Sequence, residues 1–386
     1  MVSRPTPNAA TARALAPDLA RGLMLLLIAI AHAPEFIAAP SAGLSVSDSA
    51  GEFVKSFVAD NQGRPMFVLL FGYGLGQLAR REHDRGGDWP SIRKLFRRRG
   101  FWLVVIGFVH AVFLAPVDII SMYGLALLLL APMARARDSM LLWTVAVTFV
   151  PATLAMAWFS EIARTAGAGG GQANVATDMA TGYGRHVVSG LVAWPFSVLL
   201  GILLVVPGMV LGLWAARRRI LDEPRRHRRL LSRVAVSALG VALVGRLPMA
   251  LIDAAVWAPS VHTVQAATVA HIVTGYVGGI GLAAAVGLIA IKIGSSRGRF
   301  TTAFVALGQR SLTFYLFQSA VWLVLFYPFT LGLWDEVGTA GAVGIAVATW
   351  LLSVVLAEGL RRGGYRGPTE VLLRRLAYGR PKAGAR

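Results

Sequence analysis

The chain of 386 residues contains no cysteine, which excludes disulfides, thiolate metal ligands and a cysteine nucleophile. It is also poor in charge: Asp, Glu, Lys and Arg make up only 15% of it, while 56% of the residues are hydrophobic. A soluble chain of this length needs far more polar surface than this composition provides. Together with a mean hydropathy of +0.62, the composition predicts a membrane protein that crosses the bilayer several times.

Acidic residues are scarce as well, since 19 of them stand against 38 basic ones, for a formal net charge of +19. The basic residues concentrate in alternate hydrophilic segments, above all 80–99, 217–233 and 361–386. By the positive-inside rule, this pattern places both termini on the cytoplasmic side of the cell membrane. Anionic lipid headgroups are the partner that such charge favours. Nucleic acid is not expected as a partner, because no stacking aromatics alternate with the basic runs.

Long apolar windows predict an all-α fold, a transmembrane bundle of about ten helices. The windows lie at 19–39, 57–79, 100–116, 119–134, 139–160, 188–215, 234–256, 265–291, 311–332 and 339–360. We expect a cytoplasmic tail over 1–17, a single transmembrane domain over 18–360 and a basic cytoplasmic tail over 361–386. A cleaved secretory signal is the alternative for the first window, and the glycine-rich loop 160–187 is either a linker or a lid. The sequence does not decide between a monomer and a homo-oligomer.

A few polar side chains interrupt the windows at depths where contact with lipid would be costly. They are His32, His110, Arg246, His271 and Gln318. Their distances from the window ends place residues of different helices at similar depths. We therefore expect them to face one interior pocket rather than lipid. For Arg246, an ion pair with Asp253 on the same helix face is the simpler interpretation.

His110 and Asp118 flank a very short connection between two windows, so we expect a base with a carboxylate that orients it. The alternative is that Asp118 only caps a turn. Tyr123 follows five residues later, and Glu35 shares a helical face with His32, so both are candidates for a substrate pocket. No H-E-x-x-H or comparable spacing predicts a metal site.

Two other features do not predict chemistry. The glycines of segment 72–76 lie inside an apolar window, so close helix packing explains them better than phosphate binding. Ser311 and Ser319 lack the G-x-S-x-G context of a nucleophile elbow.

Several segments stand out when they are taken in order along the chain. They are DLARG at 18–22, FVLLFGYG at 67–74, GFVH at 107–110, DIISMY at 118–123, GQRSLTFYLFQS at 308–319 and GPTEVLLRRLAYG at 367–379. Together they resemble the YeiB-like family of bacterial polytopic membrane proteins, a domain of unknown function. That family is similar to a wider set of transmembrane acyltransferases, which includes the lysosomal heparan glucosaminide acetyltransferase and the acyltransferase-3 enzymes that acylate surface polysaccharides. The acyltransferase-3 enzymes carry an arginine, ten residues and then a histidine in their first span, and Arg21 and His32 match that spacing.

The resemblance implies transfer of an acyl group, most simply acetyl, from cytoplasmic acyl-CoA to a hydroxyl or amine of an envelope glycan, lipid or small metabolite. His32 is the first candidate for the base and His110 the second, with Asp118 as its orienting residue. Arg21 and Arg310 would bind the CoA phosphates, although snorkelling to the interface is the alternative for Arg310. Acyl-CoA is then a co-substrate, and no tightly bound cofactor is expected. A multi-pass transporter or exporter of a small solute is the alternative function, and a non-catalytic membrane scaffold is a third.

Overall fold

The computed structural model describes residues 14–38, 43–165, 182–294 and 298–379, and over these ranges it contains helices and no strands. The predicted all-α fold is therefore confirmed. The helices, numbered in chain order, are α1 Leu15–His32, α2 Val46–Val54, α3 Gly63–Asp84, α4 Trp89–Phe113, α5 Ile120–Leu130, α6 Asp138–Thr165, α7 Tyr183–Arg217, α8 Arg228–Asp253, α9 Val261–Ile293, α10 Arg299–Gly308, α11 Ser311–Phe326, α12 Thr339–Arg362 and α13 Pro368–Tyr378. Two 3₁₀ turns, Ala33–Phe36 and Ala131–Arg135, and one π-helical turn, Lys55–Ala59, lie between them. Most of the predicted tail 1–17 and the middle of the predicted loop 160–187 lie outside the described residues.

Six helices of the described chain are long and apolar enough to cross a membrane, which supports the prediction of a membrane protein. They are α1 with the turn that follows it, α6, α7, α8, α9 and α12. Helices α5 and α11 are apolar but shorter, whereas α3 and α4 each join an apolar half to a basic half. Every predicted window therefore falls on a helix. The count of about ten spans and the cytoplasmic side of the termini stay predictions.

Helices α6 and α7 present large apolar side chains on the outside of the molecule. Trp143 and Trp158 of α6 are 71% and 68% exposed, and Phe196 of α7 is 65% exposed. Extended apolar surfaces of this kind are rarely left in water. The two helices therefore present a surface suited to lipid.

Helix α1 lies in the middle of the bundle, against α3, α9, α10, α11 and α12. Ala20, Met24 and Ala29 along it are completely buried. A helix that is apolar on all sides is typical of such a position. Because five neighbouring helices surround α1, Arg21 near its start and His32 at its end are held in fixed places in the bundle.

Helices α3 and α7 approach each other backbone to backbone. A Cβ atom at Gly72 would lie 2.0 Å from the carbonyl oxygen of Met209, and one at Gly212 would lie 2.0 Å from that of Leu69. Only glycine fits at such a contact. The interpretation of the glycines around position 72 as packing residues is therefore confirmed.

Three short helices fall outside the apolar windows. Helix α2 meets the start of α12, where the N–H of Ala340 donates to Asp48 Oδ1 at 3.0 Å. Helix α10 directly precedes α11. Helix α13 lies within the segment predicted as the C-terminal tail and packs against α4, where Arg98 donates to the carbonyl of Leu376 at 3.1 Å. Part of that segment therefore belongs to the folded bundle.

Candidate active site

His32 is the last residue of α1, and its neighbour Glu35 lies in the 3₁₀ turn that follows. The helix ends here because Pro34 has no N–H to donate and its ring crowds the preceding turn. Both His32 and Glu35 are half-buried. Within the described part of the chain, His32 makes no side-chain hydrogen bond, and Oε2 of Glu35 has no hydrogen-bond partner. Both side chains therefore have polar atoms available to a bound molecule.

His110, near the end of α4, lies between a carboxylate and a hydroxyl. Its Nε2 is 2.8 Å from the Ser319 Oγ on α11, and its Nδ1 is 3.4 Å from the Asp118 Oδ1. All three residues are buried. The structure thus brings together the predicted pair, His110 and Asp118, and it adds Ser319, which sequence reasoning set aside for want of a local motif.

Asp118 is fixed by the first turn of α5, because its two carboxylate oxygens accept from the N–H groups of Ile120 and Ser121, both at 2.9 Å. It therefore caps this helix and also faces the histidine. The nearest Asp118 oxygen is 3.4 Å from His110 Nδ1, and this nitrogen makes no hydrogen bond within the described residues, so the carboxylate acts on the imidazole through its charge. The Ser319 hydroxyl lies within hydrogen-bond distance of His110 Nε2, at 2.8 Å, and of the Tyr315 carbonyl, at 3.3 Å. A serine hydroxyl this close to an imidazole is the arrangement in which serine proteases transfer the hydroxyl proton.

Aromatic rings form the wall around this group. The Tyr315 ring centre lies 5.3 Å from that of His110, and the Tyr123 ring stacks on Phe71 with 4.5 Å between centres. Tyr123 is only 2% exposed, yet its hydroxyl has no hydrogen-bond partner among the described residues. The predicted pocket residue Tyr123 therefore directs an unsatisfied polar atom into the protein interior.

Arg64, at the start of α3, is a further charged residue near the histidines. Its charge interacts with Glu35 and Tyr123, and His32 interacts with both Arg64 and His110. Two of its nitrogens donate to neighbouring side chains at 3.1 and 3.2 Å, while Nε has no partner within the described residues. Sequence reasoning did not select Arg64, although an arginine inside an apolar window is a signal for a functional residue.

Arg246 and His271 meet at a different point, the backbone of Ser56. Arg246 donates to the Ser56 carbonyl, and His271 Nε2 lies 2.9 Å from the same oxygen. The Ser56 hydroxyl donates to Asp253 Oδ2 at 2.6 Å. Ser56 therefore links Arg246, through its carbonyl, to Asp253, through its hydroxyl.

Lys55 places a positive charge next to this second group. Its Nζ lies 3.5 Å from Glu52 Oε2 and 3.6 Å from Asp60 Oδ2, and the residue is 8% exposed. Glu35 interacts electrostatically with both Lys55 and Asp60. Sequence reasoning missed Lys55 and Asp60 because they lie at the edge of the apolar window that begins at residue 57.

The two arginines predicted to bind CoA lie at the starts of helices: Arg21 is in the second turn of α1, and Arg310 directly precedes α11. Arg21 is half-buried and pairs with Asp18 at 3.1 Å. Arg310 is buried and donates to the carbonyls of Ala306, at 2.9 Å, and Tyr365. Arg310 therefore ties the end of α10 to the segment before α13.

Gln318 is the remaining predicted pocket residue and precedes Ser319 on α11. It is 2% exposed, and its Nε2 lies 3.4 Å from the Leu25 carbonyl of α1. Its Oε1 has no hydrogen-bond partner in the described chain. Gln318 thus faces α1 with an acceptor left over.

A search of the described residues finds no group of three or more His, Cys, Asp and Glu that could hold a metal ion. A small cavity between α3, α4, α5 and α7 is lined by apolar side chains that include Leu75, Phe96 and Met209. It offers no polar group, so it is not a candidate for the chemistry.

The chain is similar to known proteins for which no activity is described. A family model described as a protein of unknown function (DUF418) matches residues 215–380, from the end of α7 to just beyond α13. The uncharacterized protein YxaH of Bacillus subtilis (strain 168) is 23% identical over 358 residues, which cover 86% of this chain and 83% of that protein. Ser319 and Arg310 lie in the part that the family model matches, whereas His32 and His110 precede it. The C-terminal part of this chain is thus similar to the DUF418 family.

Proposed function

We propose that this protein is a membrane-embedded acyltransferase that moves an acyl group, most simply acetyl, from cytoplasmic acyl-CoA to a hydroxyl or amine of an envelope glycan, lipid or small metabolite. The supporting observation is the position of His110, 2.8 Å from the Ser319 hydroxyl and 3.4 Å from the Asp118 carboxylate. A general base must lie within about 2.6–3.2 Å of the hydroxyl that it deprotonates. The resemblance to the YeiB-like family and its related acyltransferases favours the same class of reaction.

In the first proposed step, His110 takes the Ser319 proton while the Ser319 Oγ attacks the thioester carbonyl carbon. The new C–O bond forms, the C–S bond breaks, and the CoA thiolate takes the proton from the imidazolium. In the second step, His110 takes the acceptor's proton, the acceptor attacks the seryl ester, and Ser319 leaves and regains the proton. The products are the acylated acceptor and free CoA, and Asp118 stabilises the imidazolium in both steps.

The helices also give the donor a place to bind. Arg21 lies 11 residues before His32 on α1, a distance of roughly 16 Å along a helix. An extended pantetheine arm has a comparable length, so a nucleotide held at Arg21 would have its thioester inside the bundle rather than at its surface. Arg310 would contribute charge more than donors, because two of its nitrogens are bonded to backbone carbonyls.

The test is transfer of labelled acetyl from acetyl-CoA by the purified full chain in lipid nanodiscs, with an envelope extract as the source of acceptor. We expect Ser319→Ala and His110→Gln each to lower the rate by roughly 10²–10⁴-fold, because each removes a group that carries the proton or the acyl group. His262→Gln is the matched control, since His262 is exposed at the start of α9. Label bound covalently to the natural chain and lost in Ser319→Ala would identify the seryl ester.

Three results would contradict the proposal. Full transfer by His110→Gln would refute the assignment of the base, and full transfer by Ser319→Ala would refute the assignment of the nucleophile. The absence of any acylated product with folded, monodisperse natural protein would refute acyl transfer itself.

Transport of a small solute is the second candidate, and the buried charges around Lys55 favour it. Ionisable groups inside a membrane protein often mark solute or proton pathways. Flux in proteoliposomes without covalent change of the solute, lowered by Lys55→Met and Asp60→Asn but not by Ser319→Ala, would favour transport over acyl transfer.

A further inference from the structure

Tyr315 on α11 contacts His110 and Ser319 directly and reaches Asp118 through one neighbouring residue. Its ring centre lies 5.3 Å from that of His110, and its carbonyl oxygen lies 3.3 Å from the Ser319 hydroxyl, one helical turn later. Its own hydroxyl donates to the carbonyl of Val117, the residue before Asp118, at 2.9 Å. Tyr315 is only 2% exposed, so it makes these contacts inside the protein.

Asp118 lies in the connection between α4 and α5, which is not helical. Its two hydrogen bonds to the first turn of α5 fix it relative to that helix only. Its distance from His110, 3.4 Å, therefore depends on how the connection lies against the neighbouring helices. The bond from Tyr315 to the Val117 carbonyl ties the connection to α11 and gives a partner to a backbone group that lies outside the helices. The Tyr315 hydroxyl thus fixes where the carboxylate lies beside the imidazole.

The ring of Tyr315 restrains the imidazole itself. It is tilted by 43° against the His110 ring, and it also contacts the Phe67 ring, with 6.0 Å between centres. His110 and Tyr315 are both buried, and side chains in a close-packed interior cannot turn freely unless their neighbours move. The imidazole is therefore held with its Nε2 2.8 Å from the Ser319 hydroxyl.

We propose that Tyr315 is the positioning residue of this group: its hydroxyl keeps the Asp118 carboxylate beside the imidazole, and its ring keeps the imidazole toward the serine. Tyr315 itself forms no bond to a reacting atom. A displacement of about 1 Å between reacting groups can cost about 10²-fold in rate, so the reactivity of Ser319 depends on this residue. The inference rests on the proposed function, because it takes from it the roles of His110, Asp118 and Ser319.

The experiment measures covalent labelling of Ser319 by a fluorophosphonate probe, with the purified full chain in lipid nanodiscs. The Ser319 Oγ attacks phosphorus, the P–F bond breaks, fluoride leaves, and His110 takes the hydroxyl proton. This reaction needs neither acyl-CoA nor an acceptor. Peptide mass spectrometry identifies the labelled residue, and Ser319→Ala gives the background.

We expect Tyr315→Phe to lower the maximal labelling rate about tenfold and to leave the half-saturating probe concentration unchanged, because only the hydroxyl is lost and the ring stays. Asp118→Asn should also lower the rate. Adding Tyr315→Phe to Asp118→Asn should change the rate by less than about twofold, since the hydroxyl acts through the carboxylate. Tyr183→Phe is the matched control and should label at the natural rate, because the Tyr183 hydroxyl also donates to a backbone carbonyl, that of Phe113 at 3.2 Å, but not next to Asp118.

Hydrogen exchange is the second measurement and does not depend on any reaction. Exchange of residues 114–121 should rise in Tyr315→Phe and stay at the natural rate in Tyr183→Phe, because only the first variant releases the connection between α4 and α5.

Four results would overturn the inference: a natural labelling rate in Tyr315→Phe, a loss that multiplies with that of Asp118→Asn, an equal loss in Tyr183→Phe, or a natural chain that takes no label. Labelling of the natural chain without acetyl transfer from acetyl-CoA would refute only the proposed function. Acetyl transfer together with any of the four results would refute only the role of Tyr315.

Discussion

Glu370 of α13 holds the first turn of α11, the helix that carries Ser319. Its Oε1 accepts from the N–H groups of Leu312, at 2.8 Å, and Thr313, at 3.2 Å, and its Oε2 accepts from the Thr313 hydroxyl at 2.5 Å. The first N–H groups of a helix have no partner inside the helix and form its positive end. The carboxylate therefore satisfies two of them and adds a favourable charge interaction.

We expect Glu370→Ala to lower the free energy of unfolding by about 2–4 kcal/mol. Hydrogen bonds to a charged group contribute about 1.5–3 kcal/mol each in favourable cases, and the alanine leaves two backbone N–H groups without a partner. Glu370→Gln keeps one acceptor oxygen, so its loss should be smaller, about 1–2 kcal/mol.

The assay is denaturant and thermal unfolding of the purified chain in detergent, followed by tryptophan fluorescence. Glu358→Ala is the control, because the Glu358 carboxylate pairs with Arg361 and Arg362, at 2.7 and 2.8 Å, on the surface of α12. Exposed pairs of this kind contribute about 0–1 kcal/mol. Equal losses at Glu370 and Glu358 would refute the reasoning, and so would a Glu370→Gln variant as unstable as Glu370→Ala.

Two further predictions concern other contacts. Gly72→Ala should abolish most of the folded yield in fluorescence-detected size-exclusion chromatography, because its Cβ would overlap a backbone carbonyl of α7. The control is Gly240→Ala, which has open space around its Cβ and should keep a normal yield. Equal yields of the two variants would contradict this prediction. The Ser45 hydroxyl and the Ala340 N–H hold the pKa of Asp48 below its usual value, so the contact between α2 and α12 should persist at neutral pH and weaken as the pH falls through that lowered pKa. Hydrogen exchange of residues 46–54 should rise at low pH in the natural chain and be fast at every pH in Asp48→Ala, and a pH-independent natural chain would count against the assignment.

The helices were predictable because their signal is local. A bilayer-length apolar run is visible without knowledge of its neighbours, and each predicted window falls on a helix. The pairing of His110 with Asp118 was predictable for the same reason, since a short turn joins the segments that carry them. The close packing at Gly72 followed from small residues in an apolar window.

The rest depends on packing between distant segments. Ser319 lies 209 positions from His110, and nothing in the residues around it announces that contact. Lys55 lies just before an apolar window, where a basic residue is commonly an interfacial anchor, and Arg64 lies seven residues inside that window without a local motif that marks its contacts. Helix α13 is too short and too polar for a hydropathy signal, and its Glu370 acts on a helix 57 positions away in the chain.

The backbone contact between α3 and α7 has a mechanical consequence. Packed helices can slide where interdigitated side chains change rotamer, but at Gly72 and Gly212 no side-chain layer exists to rearrange. The two helices are therefore expected to move together rather than slide past each other.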